Sequence, residues 1–86
     1  MGVVDDLGDQ LALATLKAQQ ELGDDRFYME VSRVVGAASP TLQEAFMTSM
    51  RIRMAAGRAQ SFVEQTLKAR REGGVAPAAP RDNSAH

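Results

Sequence analysis

Nothing between Pro40 and Glu72 stops a helix. Ser39-Pro40 supplies the usual order of a capping residue followed by an N1 proline. Thr41 with Glu44 offers an alternative capping box that begins two residues later. No breaker stronger than Gly57 intervenes before Gly73-Gly74. A helix over 40–72 is about 50 Å long at 1.5 Å per residue. In an 86-residue chain, one domain at most, such a helix is too long for a compact globule. Part of it is expected to extend from the body or to be covered by another subunit.

The helical period dominates upstream as well. Val4, Leu7, Leu11, Ala14 and Ala18 recur at three- and four-residue steps, widened by Leu13 and Leu16, and predict a helix over 3–22. Asp5, Asp6 and Asp9 fall in its first turns, where carboxylates complement the helix dipole. Gly23 stands where a C′ glycine is expected. Asp24-Asp25 offers an N-cap for a second helix over 25–36, with Phe27, Tyr28, Val31, Val34 and Val35 as its apolar positions and Gly36 closing it. The expected fold is all-α: helices 1 and 3 form an antiparallel hairpin braced by helix 2, and the long C-terminal helix completes a helical bundle as a homodimer. Residues 1–73 make the helical domain. From 74 to 86 the Pro/Ala/Gly composition without periodicity predicts a disordered tail.

Small domains compensate for limited burial with disulfides, metals or oligomerisation. The chain has no cysteine, and its single histidine, His86, has no partner ligand for a structural zinc. Oligomerisation or docking onto another protein is what remains. No basic n-region or apolar h-region opens the sequence, and no stretch approaches about 20 apolar residues. A cytoplasmic protein without membrane contact is therefore expected. Net charge is −1, but it is unevenly placed. Residues 1–36 hold seven acids and three bases, whereas residues 37–73 hold three acids and six bases. Opposite-signed halves attract across a fold or across a dimer.

Catalysis needs a nucleophile with a base, paired carboxylates in a cleft, or a metal. Ser32, Ser39, Ser49 and Ser61 lack a Gly-x-Ser-x-Gly elbow, and Gly73-Gly74 lacks the lysine and helix of a phosphate loop. No enzymatic role and no cofactor are expected.

On helix 3, Met47, Met50 and Met54 lie within about 60° of one another at 100° per residue, with Phe46 beside Met50. This strip is offset from the apolar face of Leu42, Ala45, Ile52, Ala56, Val63 and Leu67, so one helix carries two adjacent apolar strips. Methionine is over-used on adaptable binding surfaces. Phe46, Met47, Met50, Arg53 and Met54 are thus candidate partner-binding residues; core filled from both sides by helices 1 and 2 would explain the same pattern. Arg53 falls on the apolar side, where it must be paired or must snorkel to water; its nearest same-face polar neighbours are Gln60 and Glu64, and an acid from helix 1 or from a symmetry mate would serve it better.

The segment Glu30–Phe46 supports a second reading. Gly36 sits at the turn position, Ser32 four places earlier, and Val31, Val35, Ala37, Leu42 and Ala45 at apolar positions. This stretch resembles the helix-turn-helix of bacterial repressors, and Thr41-Leu42 matches a common start of the recognition helix. The resemblance covers residues 30–46 and implies DNA contacts from Arg33, Thr41, Gln43 and Arg51. Phosphate contacts supply most of a DNA binder's affinity, and the expected recognition surface has no base until Arg51. The favoured expectation is a structural or regulatory protein–protein interaction module, with itself or another protein as partner. A small transcriptional regulator is the alternative.

Overall fold

The computed structural model describes residues 2–79, in which every regular element is helical. The order is α1 (Val3–Leu22), α2 (Phe27–Ala38) and α3 (Pro40–Glu72). No strand occurs among the described residues, so the all-α, three-helix class read from the periodicity holds. The chain divides into two compact units, Met1–Met54 and Ala55–His86. The first contains α1, α2 and the start of α3; the second contains the rest of α3. Residues 74–79 adopt no regular structure, and the remainder of the expected tail, with His86, lies outside the described residues.

Local chemistry sets the ends of each helix. Gly23 adopts φ 66°, the left-handed conformation that glycine tolerates best, and its N–H donates to the Gln19 carbonyl to close α1. Asp24 does not cap α2 directly. Its carboxylate accepts from the Arg26 N–H at 2.9 Å within the link, and α2 begins at Phe27 rather than 25. The first turn of α2 is served from α1 instead: Gln19 Oε1 accepts the Tyr28 N–H at 2.9 Å. Gly36 does not close α2 either. The helix continues to Ala38, where the Ser39 N–H donates to the Val35 carbonyl at 2.8 Å. The same Ser39 caps α3, its Oγ accepting the Leu42 N–H at 3.1 Å. One residue therefore ends α2 and starts α3. Gly73, at φ 72°, terminates α3, and the Gly74 N–H donates to the Ala69 carbonyl at 2.7 Å.

The core lies in the first unit. Ala12, Phe46 and Met50 are wholly enclosed, and Leu11, Leu16, Tyr28, Val31, Met47 and Met54 pack against them. The buried line of α1 runs through Gly8, Ala12, Thr15 and Gln19. This differs from the stripe read from the sequence: Val4, Leu7, Leu13 and Ala14 are exposed. Small residues win the inner face because α1 and α3 approach closely there. A methyl group built on Gly8 would lie 2.9 Å from the Ala45 carbonyl carbon and from its Cβ. The buried polar groups are accommodated locally, since Thr15 Oγ1 donates to the Leu11 carbonyl at 2.7 Å. No buried side-chain nitrogen or oxygen among the described residues lacks a hydrogen-bond partner.

Two glycine substitutions should therefore act in opposite directions. Gly8→Ala should destabilise by about 1–3 kcal/mol, because backbone must move to admit the methyl, even though alanine favours a helix by about 1 kcal/mol. Gly57→Ala meets nothing within 4 Å and should raise stability by up to about 1 kcal/mol. Urea denaturation followed by circular dichroism distinguishes the two.

Candidate functional site

The residues expected to form a docking strip separate once folded. Phe46 and Met50 are fully buried between α1 and α2 and belong to the core, so they cannot present themselves to a partner. Met47 and Met54 are half-buried at its margin. The double apolar strip thus has an internal cause over this part of α3: one helix packs on each side. Arg53 lies on the same inward line and is accommodated by α1. Its Nη2 is 3.8 Å from Asp9 Oδ1, and its Nε donates to the buried Ser49 hydroxyl at 3.0 Å.

The residues singled out for DNA contact also fall in different settings. Thr41 is exposed at the start of α3. Gln43 is committed to α2: its Nε2 donates to the Ser32 carbonyl at 2.8 Å and to Ser32 Oγ at 3.1 Å. Its carboxamide occupies the space where a side chain at position 36 would stand, which gives Gly36 a packing role inside α2. Arg33 and Arg51, in contrast, come together. They line an open cleft of about 350 Å³ between α2 and α3, with Tyr28, Met29, Ser32 and Met47.

This cleft has a definite polarity. No carboxylate lines it, and neither arginine forms an ion pair with an acid among the described residues. Because Ser32 Oγ accepts from Gln43, its own hydrogen is free to be donated. Two arginines and a serine share its lining with two methionines and a tyrosine, a composition that favours an anionic group attached to an apolar body. The sequence contained a usable sign of this cleft: Tyr28 with Ser32, Met29 with Arg33 and Met47 with Arg51 are each four residues apart, so each pair shares one helix face.

A second accessible surface lies in the other unit. All buried residues of α3 fall at Phe46, Ser49 and Met50, so its residues 55–72 include none. Ala56, Ala59, Val63 and Leu67 recur there at three- and four-residue steps, and Val63 and Leu67 are 53% and 49% exposed. Among the described residues no helix is long and apolar enough to cross a membrane, and no group of three or more His, Cys, Asp or Glu side chains could hold a metal ion. Comparison with family models, with curated proteins and with solved structures yields no match.

Burial ranks the energetic roles of these residues. Met50→Ala should cost about 2–5 kcal/mol by opening a cavity in the core. The Asp9–Arg53 pair, whose side chains are 55% and 35% exposed, should show a coupling of only about 0.2–1 kcal/mol. A double-mutant cycle with Asp9→Asn and Arg53→Gln, read by chemical denaturation, checks the second value.

Proposed function

We propose that this chain is a non-catalytic helical interaction module, structural or regulatory, that acts as a homodimer. Its docking face is the apolar stripe of Ala56, Ala59, Val63 and Leu67, and two such segments pair to complete a helical bundle. One observation carries this reading: residues 55–72 form an amphipathic helical segment with no buried residue. Helices in water draw most of their stability from packing an apolar face, and propensity alone leaves them marginal. Alanines at 56 and 59 allow a second helix to come close, and Val63 and Leu67 supply the larger side chains to interlock. The docking face thereby moves away from Phe46 and Met50 to later turns of the same helix. A cytoplasmic setting fits a chain without cysteine.

A DNA-binding regulator is the second reading, favoured by Arg33 and Arg51 sharing one cleft. Two observations weigh against it. Gln43 is tied to Ser32, and a single residue joins α2 to α3, where a helix-turn-helix uses three or four.

Sedimentation equilibrium tests the dimer. Wild-type protein should self-associate at micromolar concentration, and Val63→Asp with Leu67→Asp should yield monomers with an intact first unit. A wild-type chain that stays monomeric at about 100 µM, weaker than roughly 5.5 kcal/mol of association, removes the reading. Duplex DNA should show no association at about 50 mM salt, where electrostatic binding is already visible.

A further inference from the structure

We propose that the arginine cleft between α2 and α3 receives the outer face of α1 from a second copy of this chain. Asp6 of that copy lies against the Arg33 and Arg51 guanidiniums, and its Val3 and Leu7 lie against Met29 and Met47. The inference rests on the self-association proposed above, but it assigns a different contact, within the first unit.

Three observations lead to this occupant. The cleft offers donors and thioethers without a carboxylate, so it selects a carboxylate set among apolar side chains. The outer face of α1 has that composition. Val3, Asp6 and Leu7 share it at i, i+3 and i+4; all three are exposed, Val3 at 73% and Leu7 at 42%. Finally, the charge division of the sequence is barely used inside the protomer. Seven acids stand against three bases before residue 37, and three against six from there to residue 73. Among the described residues only Asp9 and Arg53 join the two halves in an ion pair. The surplus on each side complements the surplus on the other side of a second molecule. A two-fold axis makes the contact twice, since each copy carries both a cleft and an α1. Opposed charges of this kind chiefly set which surfaces meet and in which register.

A charge swap tests the pairing. Arg33→Glu with Arg51→Glu makes the cleft acidic, and Asp5→Lys with Asp6→Lys makes the first turns of α1 basic. Each variant alone opposes like charges, so its self-association should weaken by at least about tenfold. In an equimolar mixture each cleft meets an α1 of opposite sign, and association should return as a heterodimer to within about threefold of wild type. Sedimentation equilibrium reads all three samples, with circular dichroism confirming helicity. If the lysine variant loses helicity, Asp6→Asn replaces it, and about threefold or greater weakening is expected. Wild-type association by either charge variant overturns the proposal, as does a mixture no tighter than its components. Dissociation by Val63→Asp with Leu67→Asp alone would sink this contact and leave the stripe standing; the converse result would do the reverse. Salt-sensitive binding of duplex DNA that Arg33→Glu with Arg51→Glu abolishes, without change in self-association, would give the cleft to nucleic acid instead.

Discussion

The close passage of α1 over α3 at Gly8 and Ala45 is the contact on which the first unit depends. With a methyl already at 2.9 Å from backbone, no larger side chain fits at position 8, so the two helices meet almost main chain to main chain. That proximity brings Ala12 onto Phe46 and Met50 and lets α1, α2 and the start of α3 enclose two large side chains completely. A chain of 86 residues without cysteine has few other means of building a core. Its inner face is small and partly polar, and each buried polar group is answered by a neighbour: Thr15 by its own helix, Gln19 by the start of α2, Ser49 by Arg53.

This also explains which parts of the fold were legible in the sequence. Helix number and class were, because punctuation is local: Gly23, Ser39-Pro40 and Gly73 act through their own backbone or the next turn. The inward faces were harder to read. A hydrophobic stripe through Leu7 and Leu13 looks like a core-facing surface, yet the core selects Gly8 and Thr15, since distance between backbones outweighs side-chain hydrophobicity there. Gly36 misled for a related reason. Glycine commonly ends a helix, but here it makes room for the Gln43 carboxamide, which belongs to a different helix and is invisible to any local rule.

The candidate surfaces follow the same division. Arg53 announced itself as a charge on an apolar face, but the sequence left open a head in water, an acid from helix 1 or an acid from a second copy; in the fold its guanidinium lies 3.8 Å from Asp9. The methionines did not resolve from sequence, because a strip wide enough for a partner is equally wide enough for two flanking helices. Phe46 and Met50 went to the interior, while Val63 and Leu67, of plainer composition, stayed in contact with solvent. Arg33 and Arg51 could be named individually; that both line one cleft depends on the packing of α2 against α3.

Ser39 has a consequence for how this protein can change. Its N–H closes one helix while its hydroxyl opens the next, so the joint contains no slack. Inserting or deleting a residue there would rotate every side chain of α3 by about 100° relative to α2 and turn Phe46 and Met50 out of their seats. The link at residues 23–26 is longer and is held by hydrogen bonds of its own, from the Asp24 N–H to the Gln19 carbonyl and from the Arg26 N–H to the Asp24 carboxylate. The joint at Ser39 thus behaves as a fixed gear between two helices.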